Sequence, residues 1–276
     1  MKRIGIALGG GGVRGLAHVP VLEALDELGV RPVRIAGTSI GAIVGAAYAS
    51  GLSGREMRSL CMRHIVARGD RLSDLLDKRA QLRLWLNAFG LERGRGGLLS
   101  AERMFGYLFE GLRVRTFEAL GIPLRVVAAD FWSAQQVVFD TGELLPALRA
   151  SSAFPGVFAP ARVDGRVLVD GGMVNNVPYD LLGDDCDVVI AVNVAKHREP
   201  EREATPGLID AMVGAFDIMH EADMARRLER APPDLYVHPR ISRIAAFDFT
   251  AVEDVLDQAR PAVERFKAQL ATRLEA

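Results

Sequence analysis

Short apolar, β-branched runs alternate along this chain with stretches whose apolar residues recur every three or four positions. Strands are expected at 3–8, 33–36, 124–129, 135–139, 166–169, 188–194 and 235–237. Continuous apolar strands of this kind are usually buried on both faces. Between the first two, Leu16, Val19, Leu22, Leu25 and Leu28 follow helical spacing, and Gly29 is placed to end that helix. Further helices are expected at 40–49, 54–65, 101–109, 144–150, 208–230 and 252–274. The order predicts an α/β fold with a mostly parallel central sheet flanked by helices, and no internal repeat.

Composition adds little to that picture but removes several classes. The chain has 276 residues, 49% hydrophobic and 25% charged, which suits one domain with a real core. A formal charge of -1 gives no global field that would favour nucleic acid. The two cysteines, Cys61 and Cys186, have no disulfide or zinc spacing. The apolar run at the amino terminus stops at Gly9 and reads as a first strand, and four glycines interrupt the apolar stretch 35–52, so a soluble, cytoplasmic protein is expected. The segment 62–98 holds eight Lys/Arg against four acids, together with Leu82, Leu84, Trp85, Leu86 and Phe89. It reads either as a basic, apolar-faced lid or insertion that touches a membrane surface, or as a solvated face with Trp85 packed on the core. The charged stretch 196–206 is expected as an exposed loop.

The chemistry concentrates at two glycine-rich turns. Gly9 to Gly12, Val13, Arg14 and Gly15 follow the first strand and precede a helix, so flexible backbone meets the unpaired N–H groups of a helix start, a natural anion site. Gly10, Gly12 and Gly15 also fit GxGxxG, but a dinucleotide turn needs an acid about twenty residues on, and Ile35, Ala36, Gly37 and Thr38 occupy that place. There the chain instead reads Gly37-Thr38-Ser39-Ile40-Gly41, GxSxG at a strand-to-helix junction. This is the pattern of a nucleophile elbow; the alternative is a turn in which Ser39 only caps the helix.

A nucleophilic serine needs a base. The five histidines, His18, His64, His197, His220 and His238, lie outside the glycine motifs and read as packed or surface residues. Asp170 ends a strand and is followed by Gly171 and Gly172, which leaves its carboxylate little covered; burial would have to raise its basicity.

Together these residues resemble the patatin-like phospholipases, including relatives of the neuropathy target esterase catalytic domain. Gly10-Gly11-Gly12-Val13-Arg14-Gly15 resembles the family's oxyanion loop, Gly37-Thr38-Ser39-Ile40-Gly41 its elbow, and Asp170-Gly171-Gly172 the element carrying the acid. Ala150 to Phe158 is similar to the family's Ala-Ser-x-Ala-x-Pro block, and 174–178 to its Asn-rich continuation. The resemblance runs from Ile4 to about Val194 and implies a three-layer patatin-like domain over 1–276, with a helical carboxyl-terminal region from about 206. It further implies a Ser39–Asp170 dyad, amides of Gly10, Gly11 and Gly12 as oxyanion donors, and Arg14 tying down the loop. Gly15, Gly37, Gly41, Gly171 and Gly172 would be supporting residues, with neither metal nor cofactor. The implied activity is hydrolysis of lipid acyl esters of the phospholipase A or lysophospholipase type. A departure is Pro20, where glycine is common, which is expected to bend the first helix. A Ser-His-Asp esterase using a late histidine, and a phosphate- or acyl-binding module without turnover, are the competing readings.

Overall fold

The computed structural model describes residues 2–69, 112, 114–183, 185–197, 205, 207–246 and 251–275. Eight strands form one sheet: β1 (Ile4–Leu8), β2 (Arg34–Thr38), β3 (Leu124–Asp130), β4 (Gln136–Phe139), β5 (Ala161–Val163), β6 (Arg166–Asp170), β7 (Val188–Val192) and β8 (Leu235–Val237). The helices are α1 (His18–Glu27), α2 (Ile40–Ala49), α3 (Gly54–Gly69), α4 (Leu144–Ser151), α5 (Leu208–Arg230) and α6 (Val252–Glu275). Strands β3, β2, β1, β7 and β8 are adjacent in that order and parallel, whereas β4, β5 and β6 run antiparallel to their partners. The expected α/β class with a mostly parallel sheet is therefore the observed one.

Alternation along the strands builds the three layers. Ile4, Ile6, Leu8, Ile35, Ile190 and Val192 face one side, where they pack with α1, α2, α4 and α6. The intervening Ala7, Ala36 and Ala191 face the other, against Val177, Tyr179, Leu182 and Met224 of α5. Bulk on one face supplies area, at about 1.5–3 kcal/mol for each large side chain fully buried. Small residues on the other let chain approach closely: a Cβ at Gly5 would lie 2.5 Å from Cys186 Sγ.

The sheet contains one junction on which the site depends. β4 covers one edge of β3 from Val126 to Ala129. Along the opposite edge β2 pairs as far as Thr38 with Val127, and the next position, Ala128, pairs with Asp170 at the end of β6. Strands β2 and β6 thus meet end to end on a single neighbour, which carries Ser39 and Asp170 to the same place from 131 residues apart (170 − 39).

Several boundaries differ from the sequence expectation. The first helix begins as a 3-10 turn, Gly12–Ala17, before α1, and Pro20 falls in the first turn of α1 rather than bending its middle. The strand expected to reach Val194 stops at Val192, because Asn193 turns its carbonyl side chain onto the amide of Ala195. Strand β5 was not anticipated, although Asp164 (φ 49°) and Gly165 (φ 75°) form the Asp-Gly hairpin turn that joins it to β6. Residues 62–69 continue α3, while the rest of 62–98, the helix expected at 101–109 and most of 196–206 lie outside the described residues. Among the described residues, no helix is long and apolar enough to cross a membrane.

The close approach of α2 to β1 gives a stability prediction. A Cβ at Gly41 would lie 2.0 Å from the Leu8 carbonyl oxygen, in backbone that cannot swing aside. Gly41→Ala should cost about 1–3 kcal/mol or more, read as a lowered midpoint in thermal unfolding; an unchanged midpoint would show that the helix sits less tightly than described.

Candidate active site

The first wall of the site is the turn after β1. The Gly9 amide continues the sheet by donating to Val192 O (2.9 Å), and that of Gly10 donates to Asn176 O (3.2 Å). Gly12 adopts φ +61°, and a Cβ there would fall 2.0 Å from Ala246 O, so both conformation and space require glycine. Arg14, only 2% exposed, donates from Nε to Gly11 O (3.1 Å) and reaches Asp217 with its two terminal nitrogens at 3.3 and 3.4 Å. The Gly11 carbonyl is held toward Arg14, so the Gly12 N–H, on the far side of the same planar peptide, points the opposite way. The amides of Gly11 and Gly12 have no acceptor among the described residues.

The second wall is the turn after β2. Thr38 is anchored by its hydroxyl, which donates to Asn175 O at 2.8 Å. Ser39 then takes φ 53° and ψ −126°, a conformation that is strained for any residue with a Cβ. Its amide donates to the buried Ser151 hydroxyl at 2.8 Å, and its carbonyl accepts from Ala42 and Ile43 at the start of α2. A Cβ at Gly37 would lie 2.6 Å from Ala42 Cα, which is why the chain can fold back only with glycine there. The Ser39 side chain makes no capping bond to α2, so the strain is not explained by helix capping.

The third element is Asp170, 4% exposed at the end of β6. Its amide donates to Ala153 O (3.0 Å), and its Oδ1 accepts from the Gly172 amide (2.8 Å). Burial pushes its carboxyl up to about 6, against the opposing pull of the Gly172 amide and of the nearby Ser39 side chain. On the far side of this turn, His220 donates from Nε2 to Gly172 O, and burial lowers its basicity.

Between the three elements lies a narrow cleft of about 70 Å³, with Gly10, Ser39 and Asp170 in its lining. Ile40, Ile43, Phe154, Phe158, Val213 and Phe216 supply apolar wall, with Phe154 and Phe216 edge to face at 4.9 Å. Arg14 is matched by Asp217, so the fixed charges of the lining largely cancel. The buried Ser152 hydroxyl also lines it and has no hydrogen-bond partner among the described residues. No group of three His, Cys, Asp or Glu converges among the described residues as a metal would require.

Residues 6–182 match the family model described as patatin-like phospholipase. The chain belongs to the patatin-like phospholipase family. It is 34% identical to an uncharacterized NTE family protein of Mycobacterium tuberculosis, over 82% of this chain and 60% of that protein. Mouse patatin-like phospholipase domain-containing protein 6 is 30% identical over 72% of this chain, but over only 14% of its own length. The chain thus spans less than two thirds of the length of each of these relatives. Among solved structures, VipD of Legionella pneumophila superposes with a TM-score of 0.51 at 13% identity, covering 96% of this chain and 67% of that one, a likeness of fold.

Within this patatin-like domain, Gly10, Gly11, Gly12, Arg14, Ser39, Ile40, Asp170 and Gly172 of the three motifs line the cleft, whereas Gly15, Gly37, Gly41 and Gly171 are not part of its lining. Arg14, expected to tie down the loop, bonds a loop carbonyl and also forks onto the Asp217 carboxylate of α5. Gly10 differs from Gly11 and Gly12 in that its amide is already engaged by Asn176 O. His18 is buried and His238 half-buried, each with a ring nitrogen on a backbone carbonyl, and His197 is half-exposed, whereas His220, expected to be packed or at the surface, lines the cleft. It came with Val213, Phe216 and Asp217 at i, i+3, i+4 and i+7 on α5, a helical stripe that was the available signal. Ser151 falls within the block 150–158, and nothing local in the sequence shows that its hydroxyl would reach Ser39, 112 residues away.

The buried Arg14–Asp217 pair should be strongly coupled. Arg14→Ala leaves a carboxylate uncompensated and should cost about 3–5 kcal/mol in urea unfolding. Adding Asp217→Ala should recover part of that loss; strictly additive costs would mean the two side chains do not act as a pair.

Proposed function

We propose that this chain hydrolyses carboxylic esters of lipids, with Ser39 as nucleophile and Asp170 as its only protein base. The observation that carries this reading is a strained, uncapped serine set at the same strand junction as a buried carboxyl that burial pushes up to about 6. Burial lifts the acid to where an imidazole ordinarily titrates, so a lone aspartate can do the work usually given to histidine.

Asp170 takes the Ser39 proton as Oγ attacks the ester carbonyl, and the oxygen pair pushed off the C=O double bond becomes an oxyanion. The Gly11 and Gly12 amides are the donors that remain open to it, with the start of α2 adding positive backbone potential. When the intermediate collapses, Asp170 returns the proton to the departing alcohol and the acyl group stays on Ser39. Water then repeats the sequence: Asp170 accepts its proton, the hydroxyl attacks the acyl carbon, and Ser39 leaves with the proton restored. Fatty acid and alcohol are the products. The apolar wall around Phe154, Phe158 and Phe216 would receive the acyl chain. The family match supports a lipid ester over other acyl esters, and phospholipase A or lysophospholipase action is the type proposed.

The base must be ionised to start each cycle. Turnover of a soluble p-nitrophenyl ester should therefore rise as pH increases through about 6 and level off above it. Ser39→Ala and Asp170→Asn should each reduce turnover to background while circular dichroism stays native. Substantial hydrolysis by purified Ser39→Ala, or an unchanged pH profile in Asp170→Asn, would exclude the mechanism.

A further inference from the structure

Beyond the cleft, the same edge of the sheet carries a feature the chemistry does not use. Just past β3, Phe131 and Trp132 stand 53% and 79% exposed, edge to face with ring centroids 5.0 Å apart. Large aromatics are normally buried or half-buried, so an exposed pair calls for a partner.

The turn holds them outward. Asp130 Oδ1 accepts from the amides of Trp132 (3.0 Å) and Ser133 (3.1 Å), and its main chain bonds both ways across the turn, to Gln135 O and from Ala134 N at 2.9 Å each. The Phe131 amide is tied to Val167 O at 2.9 Å. These bonds fix the backbone that carries the two rings.

Position and charge indicate the partner. Val167 lies three residues before Asp170 on β6, so the Phe131 backbone is about 10 Å along the strand from the acid, toward the carboxyl ends of the parallel strands, the end of the sheet at which the cleft lies. Around the pair, exposed Arg162 and Arg166 are balanced by Asp130 and Asp164. A neutral rim with an amphipathic tryptophan at its tip suits the interfacial zone of a bilayer and does not depend on anionic headgroups.

We propose that Phe131 and Trp132 form a wedge that inserts into the surface of a zwitterionic lipid bilayer and brings the cleft mouth to membrane-borne esters. This rests on the lipid-ester reading above but is tested apart from it. Trp85 is the other of the two tryptophans, so a Trp85→Phe, Ser39→Ala chain reports Trp132 fluorescence without hydrolysis. With phosphatidylcholine vesicles its emission should shift to the blue and be quenched by lipids brominated in the upper acyl chain, in 0.5 M NaCl as well as in low salt.

In the Ser39-intact chain, Phe131→Ala/Trp132→Ala should lower vesicle partitioning on the order of tenfold or more and leave soluble-ester turnover unchanged. No vesicle binding, undiminished binding by the double variant, or binding lost in salt would each overturn the wedge, whatever the soluble-ester assay gives. Binding without any ester turnover would instead sink the catalytic reading and leave the wedge standing.

Discussion

The meeting of β2 and β6 on one edge of β3 is the constraint from which the rest of the site follows. A parallel strand running up and an antiparallel strand running down cannot occupy the same length of edge, so each must stop where the other begins. Thr38 and Asp170 are the last residues on either side of that boundary. Both chains must leave the sheet there, one into α2 and the other into the Gly171–Gly172 turn. The proposed nucleophile and base are therefore fixed by backbone pairing rather than by long side chains, which is how a serine and an aspartate can be matched with little rotamer freedom to lose.

Burial at this boundary does two things at once. It excludes water from the Asp170 carboxyl, which raises its basicity, and it obliges every neighbouring polar group to find a partner. The surrounding bonds answer that second demand: Ser151 takes the Ser39 amide, Thr38 caps the Asn175 carbonyl, His220 takes the Gly172 carbonyl, and Arg14 takes that of Gly11. What remains open is as informative. The Gly11 and Gly12 amides, in residues that line the cleft, are unpaired among the described residues, and the Ser152 hydroxyl is buried without a partner.

How much of this was legible in the sequence follows from how local each signal is. The apolar runs gave β1, β3 and β8 nearly residue for residue, and α2 and α5 in full, because burial on a fixed period leaves its mark on adjacent residues. Ser39, Asp170 and the glycines were readable because a sharp turn at a strand end admits few residue types. Asp164-Gly165 was an equally local hairpin signal that went unread, and β5 was lost with it. Ser151, Asp217 and His220 are different in kind, since their parts depend on which strands lie side by side, and no short window records that. The distinction between Gly10 and its two neighbours likewise depends on Asn176, which arrives from 166 residues away.

The central claim is that Asp170 alone makes Ser39 reactive, and covalent labelling tests it without assuming any substrate. A fluorophosphonate should modify the protein once, on the peptide containing Ser39, faster above pH 6 than below it, and Asp170→Asn should slow the reaction at least a hundredfold, on the order of what one general base contributes. Labelling of Asp170→Asn at the rate of the unaltered protein would contradict the account.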